Sequence, residues 1–166
     1  MDLLFHIVAG LIISKQFING YFLLPVIFSL LPDLIGDMPS ELYKLKKASK
    51  KSFRAFMRDM IKYTRRNYFT RRIDKIFYKS THNLFAWGIS SVFSYFVFPK
   101  IFLPLSLAYL SHLFFDSYTH EKEYSLQPFY PLSEFSIGGK SWVTHRRTFM
   151  LSWLALGSFI LIKRLI

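Results

Sequence analysis

The sequence predicts an all-α fold, a membrane-associated bundle of four or five apolar helices with one basic amphipathic helix beside them. Three observations carry this. Hydrophobic residues make up 52% of the chain and aromatics 19%, yet Lys and Arg number 22 against 10 Asp and Glu. Apolar residues collect into five segments free of Lys and Arg: Leu3–Ser14, Phe17–Leu31, Asn83–Phe98, Ile101–Phe115 and Phe149–Ile162. The excess charge sits in one place, since the fourteen Lys and Arg from Lys44 to Lys79, set against Asp59 and Asp74, account for the whole net charge of +12. The length of 166 residues is that of a single domain over 1–166, with a basic insert at about 40–80.

Each apolar segment is shorter than the roughly 20 residues that cross a bilayer core comfortably, so tilting, extension into the flanks or partial insertion is expected. Gly10, Pro25, Gly88, Pro104 and Gly157 weaken an isolated helix but are tolerated in packed membrane helices. The breaks at Lys15–Gly20 and Pro99-Lys100 are short, and each joins an antiparallel pair. Within the insert Leu42, Leu45, Phe53, Phe56, Met57, Met60 and Ile61 recur at helical spacing with Lys and Arg on the other side. Such a helix lies flat on an anionic membrane surface, and the positive-inside tendency places the insert in the cytoplasm. Two other readings of the charge are nucleic-acid binding, through the interleaved basic and aromatic residues of Arg65–Arg72, and a plain solvated face. Tyr124–Ile137, interrupted by Pro128 and Pro131, reads as an extended loop, and no sheet is expected. Met1-Asp2 runs into apolar residues without a basic n-region, so a cleaved signal is not expected. The predicted location is the inner cell membrane, multi-pass or deeply embedded.

The chain has no Cys, which excludes disulfides, thiolate ligands and a cysteine nucleophile. A metal site must then use imidazole, carboxylate, amide or water, a donor set for Zn, Mn, Fe or Mg rather than Cu(I) or iron–sulfur clusters. Antiparallel hairpins bring such donors together. His6 lies near the start of the first segment, Asp33 and Asp37 follow the second, and His82 opens the third. His112 and Asp116 close the fourth, His120 comes next, and His145 precedes the fifth. All five histidines and three of the ten acids thereby fall at one end of the bundle. His112 and Asp116, four residues apart, share a helix face and can address one ion. Polar groups near membrane depth are costly unless paired or functional. Plainer readings exist for single members: His6 as a core histidine, Asp33 as a cap after Pro32, Thr81 or Ser80 as the residue capping the third segment, His145 as a surface residue. Pro32 and Gly36 also suggest a turn around Asp33 and Asp37.

His6, Leu31-Pro32-Asp33 with Asp37, Ser80-Thr81-His82-Asn83, Tyr109-Leu110-Ser111-His112 with Asp116, and Pro128-Phe129-Tyr130-Pro131 together resemble the YdjM-like family of membrane-bound metal-dependent hydrolases, over roughly residues 1–135. That family is distantly similar to zinc-dependent phospholipase C and the S1/P1-type nucleases, all-helical enzymes with clustered zinc ions held by His and Asp. The resemblance implies a membrane-bound hydrolase of phosphoesters, a phospholipid or another phosphodiester, acting through metal-activated water. His6, Asp33, His82, His112 and Asp116 would hold one or two divalent ions, zinc foremost. Asp37 and His120 would serve a second ion or act as acid and base. The expected partners are anionic membrane lipids and the phosphoester substrate. The pattern departs from those enzymes in lacking a second His-x-x-x-Asp or Glu unit, and from the YdjM-like family in its long basic insert at Lys44–Lys79. Two alternatives stand beside this reading: a non-enzymatic membrane protein locked by a structural metal or ion pairs, and a membrane-tethered nucleic-acid binder or nuclease.

Overall fold

The computed structural model describes residues 3–17, 23–48, 72–121, 124–140 and 145–165. These form α1 (Leu3–Phe17), α2 (Leu23–Gly36), α3 (Met38–Ala48), α4 (Arg72–Thr81), α5 (Leu84–Val97), α6 (Phe102–Thr119) and α7 (Arg146–Leu165). The five apolar segments become α1, α2, α5, α6 and α7. Among the described residues there is no strand, only an isolated antiparallel bridge between Leu126 and Ile137. The all-α class is therefore observed. Among the described residues no helix is long and apolar enough to cross a membrane. Most of the amphipathic helix expected over Leu42–Ile61 lies outside the described residues; α3 carries its beginning.

α2 is the central element, packed between α1 and α6. The α1–α2 contact is close because Gly10 has no side chain: a Cβ there would stand 2.8 Å from the Cα of Val26. Pro25 sits in the first turn of α2, where its missing N–H would have no intrahelical partner anyway. Pro32 sits well inside the same helix. The turn expected around it does not form, and α2 runs on to Gly36, so Asp33 is a helical residue aimed into the core rather than a cap. The break comes at Asp37, whose carbonyl accepts the N–H groups of Ser40 and Glu41 at the start of α3.

The apolar packing falls into three groups around α2 and α6. Phe5 and Leu156 meet Val8, Ile12, Phe115 and Trp153, tying α7 to α1. Phe28 packs on Leu105 and Ala108. Tyr109, Leu113 and Leu126 close over Leu31, Leu84 and Trp87. The last group anchors the loop of residues 124–140, which is also fixed by Leu84 N–H donating to the Pro128 carbonyl (3.0 Å) and Gly139 N–H donating to the His120 carbonyl (2.8 Å). A Cβ at Gly139 would run into the backbone of Tyr118, so only glycine lets this loop lie against the end of α6.

α5 departs from the usual amphipathic plan. Beyond its first turn its inward contacts are largely polar: Ser94 is buried, Ser91 Oγ meets Ser106 Oγ at 2.7 Å, and Trp87 Nε1 donates to the Ser106 carbonyl at 3.1 Å. Its large apolar side chains, Phe85, Ile89, Val92, Phe93 and Phe96, are exposed.

Candidate metal centre

Four ligand atoms converge in the interior: Asp33 from α2, His82 from the turn between α4 and α5, and His112 and Asp116 one turn apart on α6. His82 Nε2 lies 3.2 Å from Asp33 Oδ1 and 3.3 Å from Asp116 Oδ2. His112 Nε2 lies 3.4 Å from Asp33 Oδ1 and 3.1 Å from Asp116 Oδ2. The two Nε2 atoms are 3.2 Å apart. A tetrahedral zinc ion with bonds of about 2.0–2.1 Å has ligand atoms separated by roughly 3.3–3.4 Å. Five edges of the four-atom figure thus match the edges of a zinc coordination tetrahedron to within a few tenths of an ångström.

The ring orientations are set by hydrogen bonds on the far side of each imidazole. His112 Nδ1–H donates to the Ser29 carbonyl at 2.7 Å, and His82 Nδ1–H to the Tyr78 carbonyl at 2.9 Å. A carbonyl only accepts, so each Nδ1 carries a proton, and each Nε2, when deprotonated, turns its lone pair inward, as in histidines that ligate metal. The facing lone pairs beside two carboxylates need a cation between them, either protons or a metal ion. Neither Asp116 oxygen nor Asp33 Oδ2 has a hydrogen-bond partner, although all are buried and imidazole nitrogens stand close to Asp116. Close approach without hydrogen-bond geometry is the signature of donors aimed at a common point. On the chemistry of its donors the group fits a divalent ion.

Electrostatics follow from burial and charge. Burial opposes protonation of His112 and His82, but the adjacent Asp33 and Asp116 prevail and hold both imidazoles above their usual range. Burial would raise the two carboxyls; the histidines reverse this, His120 and His112 for Asp116 and chiefly His112 for Asp33, holding both below the usual carboxylate range.

His6 and His120 flank the other oxygen of Asp116. His6 Nε2 lies 3.5 Å and His120 Nδ1 3.3 Å from Asp116 Oδ1. His6 is fully buried, stacked on His112 with ring centroids 3.9 Å apart, and both its ring nitrogens are without a hydrogen-bond partner. Burial lowers the His6 and His120 pKa values. The His120 side chain is 11% exposed, against 0–4% for the others, so it marks the side from which the centre is reached. Asp37 stands one turn beyond Asp33, outside the four-atom group, with its charge felt at Tyr78. His145 is exposed at the start of α7 and lies outside that group too. Thr81 and Ser80 do not cap α5. Asn83 does, its Oδ1 accepting from Ala86 N–H at 2.8 Å, while Thr81 ends α4.

Several residues that are not candidate ligands hold this arrangement in place. Tyr78 stacks on the His82 ring at 3.8 Å and donates its hydroxyl to the Tyr124 carbonyl. Tyr109 donates to the Thr81 carbonyl at 2.6 Å, pinning the turn that presents His82. Gly36 makes room for that turn, since a Cβ would stand 2.7 Å from Thr81 Oγ1 and 3.3 Å from His82 Cε1. Only the ring patterns of metal-ligating histidines hint that such carbonyls and stacks must exist. No family profile, curated protein or solved structure matches this chain.

Proposed function

We propose that the protein is a membrane-bound, metal-dependent hydrolase of a phosphoester, a phospholipid or another phosphodiester, as the resemblance to the YdjM-like family implies. The observation that carries the reading is the figure formed by Asp33, His82, His112 and Asp116, five of whose six edges, at 3.1–3.4 Å, suit zinc. A divalent ion supplies water that ionises near pH 7 and a positive charge against the phosphoryl oxygens. Asp33, His82, His112 and Asp116 would hold the inner ion. Asp116, with one oxygen toward that group and the other toward His6 and His120, would with those two histidines hold a second. His120, on the reachable side, is positioned to exchange a proton with substrate or leaving group, with Asp37 the other candidate. Membrane association is supported by the exposed apolar face of α5 and by the basic insert, which attracts anionic headgroups.

A second reading has one observation in its favour. Four protein ligands make a closed set, as in structural zinc sites, whereas catalytic sites keep a position for water. Metal analysis of purified protein together with hydrolysis of a generic phosphodiester separates the two. On the hydrolase reading, His112→Ala loses turnover and metal while the helical content is kept. Metal without turnover in the wild type, with unfolding of His112→Ala, establishes a structural ion instead.

A further inference from the structure

The outward residues of α5 occupy positions 85, 89, 92, 93 and 96, one face of a helix, and Phe96 is 75% exposed. The loop of residues 124–140 adjoins the start of this helix through the Leu84–Pro128 hydrogen bond. At its turn it carries Phe129, Leu132 and Phe135 outward, with Leu132 79% exposed. α4, which leads into α5, exposes Ile73, Ile76 and Phe77. These three elements, consecutive or hydrogen-bonded to one another, each turn large apolar side chains outward, and clustered exposed apolar side chains mark interaction surfaces. The face also has a charged border. Lys79 Nζ lies 5.9 Å from the centre of the Tyr130 ring, which puts an ammonium between α4 and the loop, with Arg72 and Lys75 further back on α4. Lysine and tyrosine at the edge of an apolar face are suited to the level of lipid headgroups.

We propose that the outer face of α5 and the turn Phe129–Phe135 insert into one leaflet of an anionic bilayer, with Lys79 and Tyr130 at headgroup level. α5 has 14 residues and is about 21 Å long, against a hydrocarbon core of roughly 30 Å, so it enters the leaflet without crossing it. The anionic character of the surface follows from charge complementarity, because the fourteen Lys and Arg of residues 44–79 include and adjoin α4 along the chain. The same loop adjoins the His120 side of the candidate centre, Tyr124 accepting from Tyr78 and Gly139 donating to the His120 carbonyl. Insertion would therefore bring the reachable side of the centre against the headgroups. The proposal rests on the membrane part of the functional reading and is independent of hydrolysis.

The test is co-sedimentation of the full chain with vesicles of phosphatidylcholine, with and without phosphatidylglycerol, for wild type, a Phe129→Ser/Leu132→Ser/Phe135→Ser variant, Lys79→Gln, and the control Leu34→Ser on α2. The triple variant is expected to bind roughly a hundredfold more weakly, as the loss of three partly inserted side chains implies, with unchanged helicity and metal content. Lys79→Gln should weaken binding only to the anionic vesicles, and Leu34→Ser should bind as wild type. Full binding by the triple variant overturns the insertion face but leaves membrane association standing. Absence of wild-type binding to either vesicle overturns both. A wild-type dimer in solution that the triple variant abolishes assigns the face to a second copy of the chain and overturns the proposal.

Discussion

Ser29 touches two histidines at once: its hydroxyl donates to the His6 carbonyl at 2.8 Å and its own carbonyl accepts His112 Nδ1–H at 2.7 Å. The residue is fully buried in α2, so α1 and α6 are positioned against each other through a point one turn before Asp33. The candidate metal centre is thus a property of helices packed from distant parts of the chain, with His82 added from the α4–α5 turn, rather than of any one motif, and the following outcomes depend on that packing.

Removing a direct ligand should cost more than removing a group behind it. Partners behind metal ligands are worth about 10–100-fold in affinity. His112→Ala and Asp33→Ala are therefore expected to weaken zinc binding by more than roughly a hundredfold, measured by competition with a chromophoric chelator. Affinities within a few-fold of wild type would mean the four residues do not ligate.

His120 Nδ1 and His6 Nε2 both stand near Asp116 Oδ1, at 3.3 and 3.5 Å. If that oxygen serves a second ion, His120→Ala should release one metal per chain and leave the inner ion in place. Elemental analysis reads this directly, because two ions in wild type and one in the variant is a result no single-ion centre gives.

The metal-free protein should lose stability as pH rises. His82 and His112 have folded pKa values above the ordinary 6.5 because Asp33 and Asp116 outweigh burial. A raised folded value stabilises fully below the unfolded pKa, and that contribution is lost as pH climbs through the folded values. His6 and His120 are shifted downward by burial, so their effect is complete once pH passes 6.5 and adds no slope above it. Melting of chelator-treated protein should therefore drop as pH rises above 6.5, while zinc-loaded protein, with an ion in place of the protons, holds. A gap between the two that narrows with rising pH would contradict the assignment.

Gly36→Ala tests the α2–α4 approach. The added Cβ would stand 2.7 Å from Thr81 Oγ1, which is itself held by the Phe77 and Tyr78 carbonyls and cannot swing aside freely. Overpacking of this kind costs about 1–3 kcal/mol, against a gain of up to about 1 kcal/mol from helix propensity. A net loss of about 1 kcal/mol on thermal or chemical unfolding is expected, together with a measurable fall in metal affinity as His82 is displaced.

Much of this was legible in the chain. Five apolar segments without Lys or Arg became five helices, each an unbroken apolar stretch bounded by polar or Pro-containing breaks. The one-turn spacing of His112 and Asp116 carries directly into ligand geometry. Asp33 was harder, since Pro32 argues for a turn, and the packing of α2 between α1 and α6 overrides that local preference. α4 was hidden because Arg72, Lys75 and Lys79 read as part of a charge run, although Tyr78 and Thr81 form the shelf beneath His82. Asn83 rather than Thr81 starts α5 because Thr81 already bonds backward to α4. The serine seam of α5 looked like ordinary apolar helix, since composition does not say which face turns inward.

Ser29 also limits what side-chain scanning can reveal. An alanine there would sever only the tie to His6, because the grip on His112 belongs to the main chain and survives every substitution that keeps the helix. A mild phenotype at this position would understate its contribution. Selection acting on side chains could exchange the hydroxyl while the carbonyl that orients the deeper ligand stayed out of its reach.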